Sequence, residues 1–239
     1  MPPLRNILIT GACKGLGRAM ALHLGRAGTR VFLHHRDSVG EAEQLAHTLI
    51  AAGAEAIPLA ADLGRAEDRE RLIEQVQERA GTLHVLINNA ALYRPTPLLE
   101  ASAREWSQVL EVSCTAVFHL TRLALPLLRA GSPARVINLG DSGADRMQAR
   151  TQAVAYHVAK LGVHVLTRSF AKALGPDGIT VNQISPGILE NSVDGPESPI
   201  PLGRLGRFED VLGALDYLLS PEAAYVSGAN IVVSGGWNI

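Results

Sequence analysis

The sequence predicts a single doubly wound α/β domain, in which helices cover both faces of a mostly parallel sheet of about seven strands. Three observations favour this fold class. Short aliphatic runs alternate with longer stretches of helical period, and no linker or internal repeat interrupts them over residues 1–239. Hydrophobic residues make up 47% of the chain but aromatic residues only 4%. Together with 23 glycines, this composition suits layered helices and parallel strands better than a sandwich or barrel.

The strands are predicted at short runs of β-branched and aliphatic residues. The first run reads NILIT and the fourth reads HVLIN. Since each run is shorter than a typical helix and is followed by a longer amphipathic stretch, parallel βαβ units are expected. The predicted strands cover residues 6–10, 30–34, 56–60, 84–88, 134–139, 180–184 and 229–233.

The helices are predicted between these strands, where apolar residues recur at three- and four-residue spacing. Gly28, Gly53 and Gly81 each follow such a stretch, and glycine is common just beyond a helix end. Residues 102–129 are long enough for one long helix or two shorter ones. The other predicted helices cover residues 15–27, 39–52, 65–80, 153–174 and 208–219.

Charge and cysteine content exclude several classes of protein. A net charge of −1 argues against a nucleic-acid binder, which needs clustered Lys and Arg. The two cysteines, Cys13 and Cys114, are too few for a disulfide framework, so a reducing, cytoplasmic location is expected. The apolar runs are too short for a membrane helix, and the first residues lack the apolar core of a signal peptide.

A glycine-rich segment joins the first predicted strand to the first predicted helix. Residues 10–17 read TGACKGLG, with glycine at 11, 15 and 17. Glycine lets a backbone approach a pyrophosphate closely, and the following helix N-terminus offers free N–H groups. The segment therefore predicts a dinucleotide-binding turn, and the alternative is a tight packing turn without a ligand.

Further motifs follow this turn in a fixed order. The sequence has Asn-Asn-Ala at 88–90, Tyr-x-x-x-Lys at 156–160 and Pro-Gly at 186–187, and the glycine spacing is G-x-x-x-G-x-G. With these motifs, nearly the whole chain resembles the short-chain dehydrogenase/reductase family. The resemblance implies a Rossmann-like fold and a nicotinamide dinucleotide cofactor.

The resemblance implies a cofactor site along the carboxyl ends of the strands. Asp62 matches the acidic residue beside the adenine, whereas Ala91 replaces the last residue of the family's Asn-Asn-Ala-Gly motif. The residues that the resemblance assigns to the cofactor are Gly11, Lys14, Gly15, Leu16, Gly17, Arg36, Asp62, Leu63, Asn89, Ala90, Tyr156, Lys160, Pro186 and Gly187.

Two basic residues favour NADP(H) over NAD(H). Arg36 follows the second predicted strand, where the ribose 2′-phosphate of NADP is bound, and Lys14 lies in the glycine turn. Asp37 leaves NAD(H) open, because a one-residue shift would bring its carboxylate to a ribose 2′-hydroxyl. His34 and His35 are interpreted as packing and rim residues, and no metal site is expected since no third ligand has a plausible spacing.

Tyr156 and Lys160 are the predicted catalytic pair. Their i,i+4 spacing places both side chains on one helix face. The Lys160 ammonium and the positive charge of an oxidised nicotinamide are expected to lower the pKa of Tyr156 from about 10. By the resemblance, Tyr156 donates a proton to the substrate and Lys160 holds the nicotinamide ribose.

Two positions depart from the family pattern. The family has a Ser at the end of the fifth strand, where the chain reads LGDSG, so either Asp141 replaces this Ser or Ser142 takes its role. Asp141 is favoured by the strand end, and pteridine reductases of the family carry Asp there. The family also has Asn in a proton relay where this chain has Ser113, whose hydroxyl can still bind water.

These residues predict an NADPH-dependent reductase of a carbonyl group of ketone or ketoacyl type. A pteridine or modified-protein carbonyl substrate is the alternative, and an NADP-binding regulator with weak or no catalysis is the alternative from another class. The irregular residues 189–201 are expected to form a substrate lid or a surface excursion, with Asn191 in place of a usual Thr. A small-molecule or carrier-bound substrate and a homodimer or homotetramer are implied, without nucleic-acid or membrane partners.

Overall fold

The computed structural model describes residues 5–143, 146, 149–192, 195 and 198–237. Its centre is a sheet in the order β3-β2-β1-β4-β5-β6-β7, in which every neighbouring pair is parallel. The predicted α/β class and the number of strands are confirmed, and the sheet is wholly parallel. The strands are β1 (Arg5–Ile9), β2 (Thr29–His35), β3 (Glu55–Ala60), β4 (Val85–Asn88), β5 (Arg135–Leu139), β6 (Thr180–Pro186) and β7 (Asn230–Val233).

Helices connect these strands, and most of their bounds lie within one residue of the prediction. The first helix ends earlier, at Leu24 instead of residue 27. A Cβ on Gly25 would lie 2.6 Å from Leu49, so the next helix packs directly on this helix end. The helices are α1 (Gly15–Leu24), α2 (Val39–Ala51), α3 (Ala66–Ala80), α4 (Ala103–Leu110), α5 (Ala116–Leu123), α6 (Leu125–Ala130), α7 (Val154–Leu174) and α8 (Phe208–Leu219).

The stretch predicted as one long or two shorter helices is divided further. Ser102 caps α4 by accepting a hydrogen bond from the Glu105 N–H at 3.1 Å. A π-helical turn, Glu111–Thr115, joins α4 to α5. Such a turn inserts an extra residue, which changes the direction in which the following side chains point, and it often occurs at functional sites.

Two hydrophobic layers hold the helices on opposite faces of the sheet. One layer packs α1, α2 and α8 against the sheet, with Met20, Leu45 and Leu215 fully buried. The other packs α3, α5 and α6 on the opposite face, with Leu72 and Leu120 buried. These layers are the double winding that the alternation of strands and helices predicts.

Buried amides connect the middle strands to a helix. The Asn88 side-chain amide donates to the Asn138 side-chain oxygen at 2.8 Å, and the Asn138 amide donates to the Thr167 hydroxyl at 2.9 Å. None of these three residues is more than 3% exposed. They link β4, β5 and α7 below the point where β4 and β5 end.

The winding of the chain reverses between β1 and β4, which are neighbours in the sheet. In open α/β sheets, ligands bind beyond the carboxyl ends of the strands at this switch point. The turn after β1 begins at Thr10 and the segment after β4 begins at Asn89, so the predicted motifs meet there. Among the residues that the structure describes, no helix is long and apolar enough to cross a membrane.

Candidate active site

The glycine turn is shaped by close backbone contacts. Gly11 has a φ of +62°, a conformation that favours glycine. A Cβ on Gly17 would overlap the Gly11 carbonyl oxygen. The Asn89 side chain donates to the carbonyl oxygens of Thr10 and Gly11 at 2.9 and 3.1 Å. The N-cap residue of α1, Lys14, makes no side-chain capping bond, so it leaves the first N–H groups of α1 for a ligand.

A cavity of about 310 Å³ lies beside this turn and has a mixed apolar and charged lining. It brings together residues that follow β1, β2, β3 and β4. Six of the residues assigned to the cofactor from the sequence line it. The lining residues are Gly11, Cys13, Lys14, His34, His35, Arg36, Asp37, Ser38, Ala61, Asp62, Leu63, Ala90, Ala91, Leu92 and Val112.

Both basic residues of the predicted phosphate site are paired with acids. Lys14 Nζ lies 3.0 Å from Glu41 Oε1, and Arg36 Nη2 lies 2.8 Å from Asp37 Oδ2. All four side chains are exposed, so these pairs are weak and can exchange for a phosphate. The pairing also brings the Asp37 carboxylate into the same cavity as Arg36.

Asp62 and Leu63 line the cavity from the segment that follows β3. Asp62 Oδ1 accepts a hydrogen bond from the Gly64 N–H at 2.9 Å, and the Asp62 N–H donates to Asp68 Oδ2 at 2.9 Å. Leu63 is buried, at 4% exposure. These contacts hold the segment after β3 in a turn against the cavity wall.

Lys160 lies within the fold rather than at its surface. It is 4% exposed, its ammonium donates to the carbonyl oxygen of Leu139 at 2.6 Å, and its Nζ lies 5.5 Å from the centre of the Tyr156 ring. Burial lowers the pKa of Lys160 to about 8, while Asp141 and Cys114 act in the opposite direction. The predicted pair therefore shares one helix face, as the i,i+4 spacing indicates.

The expected lowering of the Tyr156 pKa is wrong for the protein alone. Burial raises the pKa of Tyr156 well above its usual value, and the nearby Asp141 and Tyr93 raise it further. The sequence-based expectation weighed the ammonium and the cofactor charge but not the loss of solvation. The phenol is consequently protonated at neutral pH, which is the form needed to donate a proton.

Asp141 and Ser142 occupy different environments. The Asp141 carboxylate raises the pKa of both Tyr156 and Lys160, so it lies close enough to the predicted catalytic pair to act on it electrostatically. It also accepts a hydrogen bond from the Gly143 N–H at 3.0 Å. Ser142 is 1% exposed, and its N–H donates to the Pro186 carbonyl oxygen at 3.0 Å. Its hydroxyl has no hydrogen-bond partner among the described residues, and the choice between Asp141 and Ser142 for the role of the family Ser stays a prediction.

Ser113 lies on the π-helical turn and is 1% exposed. Its hydroxyl oxygen accepts a hydrogen bond from the Leu92 N–H at 2.9 Å. This bond fixes the loop after β4 to the helix next to the site. The observed contact of Ser113 is thus to the backbone, and its expected water contact stays a prediction.

The loop after β6 reaches across the glycine turn. The side-chain nitrogen of Asn191 would lie 2.9 Å from a Cβ on Gly15, so Asn191 covers the start of α1. The Gly187 N–H donates to the Val233 carbonyl oxygen at 2.9 Å. Farther along, the Leu202 N–H donates to the Gly235 carbonyl oxygen at 3.0 Å. Of the predicted lid, 189–201, residues 193, 194, 196 and 197 lie outside the described part of the chain.

Tyr93 is a site residue that the sequence analysis missed. Its ring packs edge to face on the Tyr156 ring, with centroids 5.1 Å apart and planes at 88°. The only sequence signal is its position shortly after the Asn-Asn-Ala motif.

The remaining residue from the sequence list, Leu16, packs on the core at the start of α1. Cys13 and Cys114 are free thiols, and no cluster of metal-ligating side chains occurs in the described ranges.

Comparisons with known proteins agree with this geometry. The model of a family described as enoyl-(acyl carrier protein) reductase matches residues 11–238. The chain is 34% identical to a 3-oxoacyl-(acyl-carrier-protein) reductase of Pseudomonas aeruginosa, covering 96% of this chain and 95% of the relative. It is also 34% identical to a protein of the same name from Synechocystis, with the same coverage of both chains.

Solved structures give the same result. A dehydrogenase/reductase from Sinorhizobium meliloti superposes with a TM-score of 0.91 at 29% identity, covering 99% of this chain and 96% of that one. The NADP active-site complex of RhlG from Pseudomonas aeruginosa has a TM-score of 0.89 at 32% identity, with 100% and 98% coverage. With the glycine turn, the Tyr156–Lys160 pair and the parallel sheet in place, this chain belongs to the short-chain dehydrogenase/reductase family of oxidoreductases.

Proposed function

We propose that the chain is an NADPH-dependent oxidoreductase that reduces the carbonyl group of a ketone or ketoacyl substrate. The observation that carries the proposal is the geometry of Tyr156 and Lys160, with Lys160 Nζ 5.5 Å from the centre of the Tyr156 ring and bonded to Leu139 at the carboxyl end of β5. A protonated phenol at this place supplies the acid that carbonyl reduction requires.

The lining of the cavity suits the adenine and diphosphate part of a nicotinamide dinucleotide. The positive φ of Gly11 and the close approach of Gly17 to Gly11 leave backbone where a side chain would block a diphosphate. Asp62 and Leu63 would hold the adenine end, and Lys14 with Arg36 would meet a 2′-phosphate. Bound NADPH supplies the hydride, and the protein supplies orientation and the proton.

NADP(H) is the cofactor proposed, with NAD(H) as the lesser one. Arg36 has the planar donor geometry that suits a phosphate, and it stands at the rim of the cavity. The neighbour described as an NADP active-site complex supports the same choice. Asp37 opposes it, because its carboxylate pairs with Arg36 and would repel a phosphate.

Tyr156 is proposed to donate its hydroxyl proton to the carbonyl oxygen of the substrate. The raised pKa keeps that proton on the phenol until the oxygen gains negative charge. The Lys160 ammonium, held by Leu139, would contact the ribose of the cofactor and stabilise the phenolate that remains. The names of the curated relatives support a 3-oxoacyl group on an acyl carrier protein as the substrate class.

Asp141 favours a second candidate, reduction of a pteridine-type heterocycle. A Ser hydroxyl can orient a carbonyl, but a carboxyl group can also exchange a proton with a ring nitrogen. The Asp141 carboxylate raises the pKa of both Tyr156 and Lys160, and this proximity to the proposed proton donor supports a role for Asp141 toward such a nitrogen. A homodimer or homotetramer in a reducing, cytoplasmic location is proposed for either candidate, in keeping with the two free thiols.

The test is NADPH oxidation over a panel of ketones, 3-oxoacyl thioesters and pteridines. Tyr156→Phe is expected to lower turnover by about 100-fold or more while NADPH binding is retained. Tyr217→Phe, at an exposed residue of α8, serves as the control and is expected to retain wild-type turnover. Full turnover by Tyr156→Phe would contradict the mechanism. Tight NADPH binding by the wild type without turnover of any substrate would instead favour a regulatory protein.

A further inference from the structure

The imidazole of His34 connects two segments of the cofactor cavity. His34 lies near the carboxyl end of β2 and is 3% exposed. Its Nδ1 lies 3.0 Å from the backbone nitrogen of Gly11, and its Nε2 lies 3.1 Å from the carbonyl oxygen of Ala61. One ring thus contacts the segment after β1 and the segment after β3.

The two contacts define the protonation state of the ring. The Gly11 N–H can only donate, so Nδ1 accepts; the Ala61 carbonyl can only accept, so Nε2 carries the hydrogen. Burial lowers the pKa of His34 to about 4, with His35 acting in the same direction and Asp62 and the Ala61 carbonyl acting against it. The ring is therefore neutral near pH 7, and this tautomer satisfies both of its nitrogens.

The bond to Gly11 bears directly on the glycine turn. Gly11, the first glycine of that turn, has a positive φ. The next N–H, of Ala12, donates to the backbone carbonyl of His34 at 2.9 Å. Side chain and main chain of one residue thus hold two consecutive N–H groups of the turn that is proposed to cradle the diphosphate.

The bond to Ala61 bears on the opposite side of the cavity. Ala61 directly precedes Asp62, the residue expected beside the adenine, and its N–H donates to the His35 carbonyl oxygen at 3.0 Å. Gly11, His34, Ala61 and Asp62 all line the same cavity. The length of the imidazole therefore sets the distance between the glycine turn and the segment that begins at Asp62, which we call the adenine segment.

We infer that His34 is a positioning residue for the cofactor, whose neutral ring fixes the spacing between the diphosphate turn and the adenine segment and so controls dinucleotide affinity. This role rests on the proposed cofactor site and goes beyond the packing role expected from the sequence. His34 acts through Gly11 and Ala61 and takes no part in proton transfer, so it governs binding and leaves the chemical step unchanged.

Three substitutions of His34 test the two hydrogen bonds: two variants keep one bond each, and the third keeps neither. In His34→Asn the amide oxygen takes the place of Nδ1 and can accept from Gly11. In His34→Gln the amide nitrogen reaches toward the place of Nε2 and can donate to Ala61. His34→Leu removes both bonds while keeping an apolar side chain in the buried site.

The matched control is His84. Its Nδ1 accepts a hydrogen bond from the Asn6 N–H at 3.0 Å. This is the same type of bond, but it lies at the amino ends of β1 and β4, away from the cofactor cavity. His84→Leu is expected to lower thermal stability but to leave the Kd for cofactor as in the wild type. Any change of affinity specific to His34 is thereby distinguished from general destabilisation.

The measurement is the Kd for NADPH and for NADH by fluorescence titration, together with kcat at saturating cofactor and Tm. We expect His34→Leu to raise the Kd for both cofactors by about tenfold or more, with kcat within about twofold of the wild type. His34→Asn is expected to restore most of the affinity, because the bond to the glycine turn is kept, and His34→Gln is expected to restore less.

A wild-type Kd in His34→Leu would overturn the inference, as would equal losses in all three variants or a loss matched by His84→Leu. If His34→Leu does not fold, the comparison of Asn with Gln still decides, since equal affinities for these two would contradict it. Binding needs no substrate, so a wild type that binds cofactor without turnover would defeat the proposed reductase function and leave this test in place.

Discussion

The Lys160 ammonium donates a hydrogen bond to the carbonyl oxygen of Leu139, the last residue of β5, at 2.6 Å. This bond joins the helix that carries Tyr156 to the strand from which Asp141 follows. The ammonium is buried and its acceptor is a neutral carbonyl, so this hydrogen bond does not replace the hydration that the charge loses on folding. The lowered pKa of Lys160, about 8, expresses that balance.

Protein stability should depend on the ionisation of Lys160. Between about pH 8 and 10 the folded chain has released a proton that the unfolded chain keeps, so the free energy of unfolding rises with pH in this range. The wild type should therefore gain stability relative to Lys160→Met as pH rises from 8 to 10, measured by urea denaturation. Lys172→Met, at an exposed position of α7, should show no such trend. A difference between wild type and Lys160→Met that is constant or falls with pH would contradict this assignment.

Asp141 should determine which substrates are reduced. Asp141→Ser supplies the hydroxyl usual in the family and removes the group proposed to exchange a proton with a ring nitrogen. The ratio of kcat/KM for a ketone to that for a pteridine should rise by about tenfold or more. Ser142→Ala is the comparison, because Ser142 is buried against Pro186. A ratio changed by Ser142→Ala and not by Asp141→Ser would reverse the two roles.

Removing the Asp141 charge should also act on Tyr156. The carboxylate raises the pKa of Tyr156, so Asp141→Asn should lower it. The high-pH limb of the kcat profile should then move to lower pH, as measured by steady-state rates across the alkaline range. The substitution should also lower the pKa of Lys160, which Asp141 raises in the same way, so a limb that stays in place would contradict the action of the carboxylate on both groups.

The pair Arg36–Asp37 should set the choice between the two cofactors. Arg36→Ala should raise the Kd for NADPH by about tenfold, with little effect on NADH, because only NADPH has a 2′-phosphate. Asp37→Asn should tighten NADPH binding, most clearly at low salt, since it frees Arg36 and removes a repelling charge. Equal losses of NADPH and NADH affinity in Arg36→Ala would show that Arg36 does not meet the 2′-phosphate.

The glycine turn should not tolerate a methyl group. Gly17→Ala brings a Cβ onto the Gly11 carbonyl oxygen, so we expect a loss of about 1–3 kcal/mol in stability together with weak cofactor binding. Gly213→Ala is the matched change in α8, where a Cβ has no atom within 4 Å. It should be neutral or stabilising by about 0.5–1 kcal/mol. Calorimetry and cofactor titration measure both effects, and a Gly17→Ala variant with normal affinity would contradict the close approach.

The fold was accessible from the sequence because its signals are local. Strands such as β4 are short aliphatic runs, and α8 was predicted with its observed bounds, 208–219. The π-helical turn was not predicted, because the residues Glu111–Thr115 have ordinary helical periodicity. Helix α1 ended early because of the contact of Gly25 with Leu49, which is distant in sequence.

In the candidate site, too, features with local sequence signals were predicted and features that depend on distant contacts were not. Tyr156 and Lys160 were predicted because one helix fixes their spacing. Tyr93 was missed because its contact with Tyr156 joins two segments far apart in the chain. The direction of the Tyr156 pKa shift was wrong because burial depends on everything packed around the ring, which no motif records.

The buried amide contacts of Asn88, Asn138 and Thr167 restrict how this sequence can change over evolutionary time. Replacing Asn138 by an apolar residue leaves the Asn88 amide and the Thr167 hydroxyl each without one partner, at positions that are at most 3% exposed. A single substitution in this group therefore carries the free-energy cost of an unpaired buried polar group. A paired substitution that removes both the donor and the acceptor of a bond avoids that cost. The interior below the active site is thus expected to vary by coordinated replacements, while the exposed faces of the helices vary one residue at a time.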